Sequence, residues 1–171
     1  MVELILSRHG ETLENQRHLL QGQLPGTLSP LGLQQAEDLA ERLKNETIDA
    51  VVSSDLDRSY RTALAVAKRH GLEPQPTPLL REMDWGCYTG KRLDDIDWYN
   101  LPEEAESMET LLQRAKDFLD YIRREFDGKQ VVAIGHGAFN RAILTAYRGK
   151  TAEKMLELPI MGNTECIRLT L

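Results

Sequence analysis

Cysteine is scarce in this chain of 171 residues: Cys87 and Cys166 are the whole complement. Two thiols cannot build a disulfide framework and lack the paired spacing of a zinc site, so both read as ordinary reduced thiols. Long apolar runs are missing too. None approaches the roughly 18 residues of a membrane span, and Met1-Val2-Glu3 opens without the basic start and apolar stretch of a leader. The expectation is no membrane partner and a cytoplasmic location. Positive charge is also in deficit, with 21 Lys and Arg against 27 Asp and Glu for a net charge of −6. Nucleic-acid binding rests on extended positive surface, so it is not expected. An anionic ligand must instead be held by a local basic cluster. No Walker-type loop or dinucleotide fingerprint occurs, so no nucleotide cofactor is implied. The acidic stretches Asp94-Asp95-Ile96-Asp97 and Glu103-Glu104 lack the glycine and spacing of a calcium loop and read as solvated surface, leaving no metal and no cofactor expected.

What the sequence does contain is an alternation of strand and helix signals. Val2 to Ser7 is an apolar strand that runs into Arg8-His9-Gly10. Ser29-Pro30 has the form of an N-cap and first helical position, followed by Leu33, Ala36, Leu39, Ala40 and Leu43 at helical spacing. Ile48 to Ser53 is a second buried strand, leading through Ser53-Ser54-Asp55 to a helix that carries Leu56, Tyr60, Ala63, Leu64 and Ala67 and stops at Gly71. Pro74, Pro76 and Pro78 make the next segment extended and irregular. Ser107 caps a helix whose stripe from Met108 to Ile122 is a core face. Gln130 to Ile134 forms a strand that ends at Gly135-His136-Gly137, a helix through Ala142, Ile143 and Ala146 follows, and Cys166 to Leu171 alternates as a last strand. The fold class expected is α/β, a three-layer sandwich with a mostly parallel central sheet, in a single domain over residues 1–171. Ligands bind such sheets at the carboxyl ends of strands. The polar clusters at Arg8-His9, Ser53 to Arg58 and His136 therefore converge on one edge.

Those residue types suit phosphoryl transfer. Arginines present planar, multidentate donors to phosphate oxygens, and helix N-termini favour anions. A neutral histidine can attack phosphorus in line, and charge on the equatorial oxygens can be met by guanidinium and imidazolium groups without a metal. His9 is the expected nucleophile, with Arg8, Arg58 and His136 holding the transferring group and Glu82 acting as acid and base. Asp84 and Glu11 are alternatives for the acid by sequence position. Arg61 and Arg141 divide evenly between scaffold and ligand contact, and His18 and His70 read as non-catalytic, His70 at a helix end and His18 in a loop near the mouth of the site.

Four blocks, Arg8-His9-Gly10-Glu11-Thr12 with Asn15, Ser53-Ser54-Asp55-Leu56 with Arg58 and Arg61-Thr62-Ala63, Leu80-Arg81-Glu82 with Trp85-Gly86, and Gly135-His136-Gly137 with Arg141, occur in order along nearly the whole chain. In this the chain resembles the histidine phosphatase superfamily, phosphoglycerate mutase-like in fold, and within it the small broad-specificity or alpha-ribazole phosphatase-type branch. The resemblance implies the same roles for His9, Arg8, Arg58, His136 and Glu82, and places Asn15, Gln21, Gly22 and Gly137 where relatives contact substrate. The chain departs from the pattern at Thr89-Gly90, where many broad phosphatases carry Glu-Gly, in the segment after Gly22, which lacks the usual acidic residue, and at Gly135 and Ala138, which replace more typical Ser and Gly. The span from Trp85 to Ser107 is short for the family, so the insertion over the site, around 85–106, is expected to be a small lid. A mutase must shelter its phosphoenzyme from water, so the open site implies hydrolysis of a small phosphorylated metabolite. The alternatives are a phosphoglycerate mutase, a protein phosphohistidine phosphatase and a non-catalytic phospholigand-binding module.

Overall fold

A computed structural model describes residues 1–171. Its strands are β1 (Glu3–Arg8), β2 (Ala50–Ser54), β3 (Gln75–Thr77), β4 (Gln130–Gly135) and β5 (Cys166–Thr170), and its helices are α1 (Leu13–Gln16), α2 (Pro30–Leu43), α3 (Asp57–Lys68), α4 (Met108–Glu125) and α5 (Gly137–Tyr147). The strands form one sheet in the order β3-β2-β4-β1-β5. Every neighbouring pair is parallel except β1 with β5.

The pleat sorts the strand residues between two cores. Leu4 and Leu6 of β1, Ala50 and Val52 of β2, and Val131 and Ala133 of β4 join the cluster under α4 and α5. Their alternates Ile5, Val51, Val132 and Ile134 pack with Leu39, Ala40 and Leu43 of α2 and Ala63, Val66 and Ala67 of α3. A period of two along each strand thus yields helices on both faces, the three layers expected. Burying each leucine, isoleucine or valine among them contributes about 1.5–3 kcal/mol. No helix is long and apolar enough to cross a membrane.

The helix starts follow their capping chemistry. Ser29 Oγ accepts from Gly32 N at 3.0 Å with Pro30 behind it, and Ser107 Oγ accepts from Thr110 N at 3.1 Å. Each such cap is worth about 1 kcal/mol. Three expectations need correction. Leu33, assigned to the buried stripe of α2, is half exposed, as is Leu31, because the helix buries Gly32 and Ala36 instead. Leu64, counted in the stripe of α3, is also largely exposed. The proline-rich segment is not wholly irregular: Gln75–Thr77 pairs with β2 as the edge strand, a place where a missing N–H donor does little harm.

The register of β1 with β4 positions the chemistry. Arg8 lies opposite Gly135, and His9 N donates to Gly135 O at 3.1 Å. The next residues of the two strands, His9 and His136, therefore leave the sheet side by side. Glycine is required where β1 exits, since a Cβ on Gly32 would stand 1.9 Å from Glu11 O and one on Gly10 2.5 Å from Gly32 O. The loop carrying His9 is pressed directly onto the start of α2.

Candidate active site

A cavity of about 570 Å³ opens at the carboxyl edge of the sheet. Arg8, His9, Asn15, Gln21, Gly22, Arg58, Glu82 and Gly137 all line it. Of the site residues named from sequence, His136 stands apart: it is fully buried behind the wall, with its ring centroid 5.2 Å from that of His9.

His9 is 2% exposed, and its Nδ1 lies 2.6 Å from the carbonyl oxygen of Gly10. A carbonyl can only accept, so Nδ1 carries the proton and Nε2 keeps its lone pair. Burial, and then the positive charges of Arg58 and Arg8, push the His9 pKa well below its usual value, with the Gly10 contact a smaller effect in the other direction. His136 is depressed in the same sense by burial first, then by Arg58, His9, Arg8 and Arg114. Neither ring nitrogen of His136 has a partner within the protein. Two neutral imidazoles thus lie together at neutral pH.

Arg58 sits near the start of α3 and reaches across to the 22–25 loop. Its Nη1 donates to Leu24 O and to Pro25 O at 3.2 Å, and its Nη2 to Gly22 O at 2.8 Å. Burial is the main cause of its pKa being lowered to about 10. The guanidinium stays charged at any physiological pH. Gly22 and Gly26 hold this loop with φ of +53° and +72°, and a Cβ on Gly26 would meet Gln21 Oε1 at 2.5 Å and Arg58 Cδ at 2.9 Å. Arg8 is tethered through Nη1 to Met161 O at 2.8 Å while its Nε has no partner.

Glu82 occupies a place that the sequence does not reveal. Its Oε1 accepts from Met83 N at 2.8 Å and Phe139 N at 2.9 Å, and its Oε2 accepts from Ala138 N at 3.1 Å. The helix N-terminus expected to face a phosphate is capped by this carboxylate, which satisfies two of the orphan N–H groups of α5. The alternative acids do not reach the cavity wall: Glu11 accepts from Ser29 Oγ and Gln16 Nε2, each at 2.8 Å, and Asp84 accepts from Gly86 N at 3.0 Å. Arg61 pairs with Asp57 at 2.8 Å on the surface, whereas Arg141 lines the cavity. Cys87 is exposed and off the wall.

Three supporting residues escape sequence reasoning. Arg114, on the helix read as a plain core face, donates to Leu79 O at 3.0 Å and Arg81 O at 2.7 Å, pairs with both oxygens of Glu106 at 2.9 and 3.0 Å, and stacks 4.1 Å over the Phe139 ring. It fixes the backbone that presents Glu82. Asn163 donates to His9 O at 3.0 Å and to Asn15 Oδ1 at 3.3 Å. Asn140 donates to Ser7 O at 2.9 Å, and its Oδ1 lies 2.2 Å from where a Cβ on Gly135 would be. Asn140 therefore fills the room that a side chain at position 135 would take. The one available signal was polarity within apolar stretches, at Arg114 and Asn140.

The outer wall comes from Leu19, Leu20, Trp85, Leu93, Asp94, Trp98, Tyr99, Leu156 and Ile160. Trp85 and Trp98 meet edge to face with centroids 5.2 Å apart, an arrangement that contributes about 0.5–1.5 kcal/mol beyond area burial. The 90–93 strip is tied to the opposite wall through Gly90 N to Leu20 O at 2.8 Å and Leu93 N to His18 O at 2.8 Å. No three His, Cys, Asp or Glu side chains come together as a metal-ligating group.

Fold and site together define a phosphoryl-handling enzyme of the α/β class, and residues 4–171 match the model of the histidine phosphatase superfamily (branch 1). The chain belongs to that superfamily. It is 32% identical over 168 residues to phosphoserine phosphatase 1 of Hydrogenobacter thermophilus, covering 90% of this chain and 80% of that one. It is 31% identical over 175 residues to the probable phosphoglycerate mutase GpmB of Yersinia pestis, covering 92% and 81%. Among solved structures, Bacillus stearothermophilus YhfR superposes with a TM-score of 0.92 at 25% identity over 100% of this chain and 92% of its own. The mycobacterial glucosyl-3-phosphoglycerate phosphatase in complex with VO3 superposes with a TM-score of 0.90 at 29% identity, over 98% and 92%. The class read from the four sequence blocks, a phosphatase of this superfamily, agrees with the names of two of these relatives, the phosphoserine phosphatase and the glucosyl-3-phosphoglycerate phosphatase.

Proposed function

We propose that the chain hydrolyses small phosphomonoesters without a metal, through a phosphohistidine formed on His9. The observation that carries this reading is the His9 ring, with its proton fixed on Nδ1 by Gly10 O and its Nε2 lone pair left for attack between two guanidinium groups. In the first half-reaction Nε2 bonds to phosphorus, the P–O ester bond breaks, and the leaving oxygen takes a proton from the Glu82 carboxyl. In the second, water attacks phosphorus, its proton passes to the Glu82 carboxylate, and the P–N bond breaks with its electron pair returning to Nε2. Arg8 and Arg58 neutralise the equatorial oxygens throughout. His136, neutral and without a partner, offers a further ring nitrogen beside that of His9.

A mutase is the second reading, because one relative at 31% identity carries that name. It differs in the fate of the phosphoenzyme, which is returned to an isomer of the substrate instead of to water.

The test is phosphate release in the presence of EDTA, from p-nitrophenyl phosphate and from an alkyl phosphate, with acid-labile phosphoenzyme trapped in parallel. His9→Ala is expected to abolish both turnover and labelling. Glu82→Gln should lower kcat for the alkyl ester by about 10²–10⁴. With p-nitrophenyl phosphate, whose leaving group departs without protonation, the same variant should give one burst and then slow turnover as water attack becomes limiting. Turnover surviving in His9→Ala, or dependence on a divalent cation, would sink the proposal. Isomerisation of phosphoglycerate outpacing phosphate release would establish the mutase instead.

A further inference from the structure

The arginines of the site are not all accounted for by the transferring phosphoryl group. Two arginines, Arg58 and Arg141, are buried, and they are treated differently by the fold. Arg58 is held on three backbone carbonyls. Arg141 is 9% exposed and lines the cavity, yet its Nε is buried with no partner. No side-chain hydrogen bond supports its charge, and the acid it senses is Glu82, whose oxygens are committed to backbone N–H groups. Burying an unpaired guanidinium is unfavourable unless an anion meets it.

Its place on the helix says where that anion lies. Gly137 and Arg141 are four residues apart on α5 and share a face, about 5–6 Å from each other. Gly137 lies against Arg8, since a Cβ there would be 3.4 Å from Arg8 Nε and 3.0 Å from Ile160 Cγ2. Between the two, the N–H groups of Ala138 and Phe139 hold Glu82. Along α5 the order is therefore Gly137, which Arg8 abuts, then the N–H groups that hold Glu82, then Arg141 one turn further along the helix. The rest of the wall includes the apolar side chains of Leu156, Ile160, Trp85 and Trp98.

We infer that Arg141 forms a second anion subsite, which binds a carboxylate or second phosphoryl group carried by the leaving group at the far end of a short carbon chain. This rests on the phosphatase reading above and deepens it. The enzyme then selects phosphorylated acids over neutral alcohol phosphates of the same length. The selection lies in binding of the leaving group and not in the phosphoryl transfer itself.

The experiment compares 3-phosphoglycerate with glycerol 3-phosphate, which replaces the carboxylate by a hydroxymethyl group. The wild-type ratio of kcat/KM is expected to exceed tenfold, as for a charge-assisted hydrogen-bond pair. Arg141→Gln should bring the ratio close to one, and Arg141→Lys should restore part of it. On a His9→Ala background, where no turnover intervenes, 3-phosphoglycerate should raise Tm more than glycerol 3-phosphate, and Arg141→Gln should remove the difference. A greater preference for a three-carbon bisphosphate than for 3-phosphoglycerate would assign the subsite to a second phosphoryl group. A wild-type ratio near one overturns the inference. So does an equal loss on both substrates in Arg141→Gln, which would place Arg141 on the transferred group. Failure of the parent reading is separate: it would appear as p-nitrophenyl phosphate turnover that is absent in the wild type or that survives in His9→Ala.

Discussion

Two imidazoles held neutral in the interior tie the stability of the fold to pH. His9 and His136 both have pKa values depressed below 6.5 by burial and by arginine charge. The unfolded chain, with ordinary histidines near 6.5, takes up protons that the folded chain does not. Stability is therefore full above about pH 6.5 and is lost as pH falls toward the folded pKa values. At pH 5.5 a ring that stays neutral in the folded chain contributes a loss of RT ln(1 + 10), about 1.4 kcal/mol, so the pair lowers stability by up to about 2.7 kcal/mol relative to pH 7.5. That is a large share of the 5–15 kcal/mol typical of a domain. The carboxylates with depressed pKa, such as Asp55 beside Arg81, act lower, below about pH 4, and leave this window to the histidines. Urea unfolding at the two pH values measures the effect, with the slope m checked for constancy. His136→Asn should halve the pH dependence whatever it does to stability at pH 7.5. A wild-type change under about 1 kcal/mol, or an undiminished change in the variant, would show that the rings are not buried neutral.

Other consequences follow from the scaffold. Arg114→Met removes a bidentate partner from Glu106 and the donors that hold Leu79 O and Arg81 O. Breaking a mostly buried pair of this kind costs about 3–5 kcal/mol, measured as a shift in urea midpoint, and kcat should fall with it because the Glu82 backbone is released. Gly32→Ala drives a Cβ into Glu11 O, a backbone atom with no rotamer to yield. Overpacking there should cost at least about 1–3 kcal/mol, and a full-strength phosphoenzyme signal in that variant would refute the tight coupling of α2 to the His9 loop.

The three layers are legible in the sequence because each strand alternates between two apolar faces and each long helix begins at a polar cap, as at Ser29 and Ser107. The site is legible where chemistry and strand ends coincide, at His9, Arg58 and His136. What is hidden depends on contacts far apart in the chain. α1 spans four residues with nothing buried, so no periodicity announces it. Glu82 reaches Ala138 and Phe139 across more than fifty residues. Leu156 and Ile160 join the cavity from a segment without any motif. Exposure of Leu31 and Leu33 goes against their type, since Gly10 and Gly32 set the depth of α2 by backbone contact and leave those side chains outside.

The placement of Glu82 bears on how one site can run both halves of a phosphatase cycle. A phosphate seated on the first turn of α5 would compete with its own acid for the same N–H groups. With Glu82 there instead, the helix end fixes the carboxyl group, and on the mechanism proposed above that group would serve the leaving oxygen while Arg8 and Arg58 would meet the phosphoryl charge. The two positions are separated by Gly137, whose missing side chain lets the Arg8 guanidinium lie against α5. A Cβ at 137 would stand 3.0 Å from Ile160 Cγ2 and 3.3 Å from Arg8 Cζ, so Arg8, held on Met161 O, and Glu82, held on the N–H groups of Ala138 and Phe139, rest on separate anchors at this end of the helix.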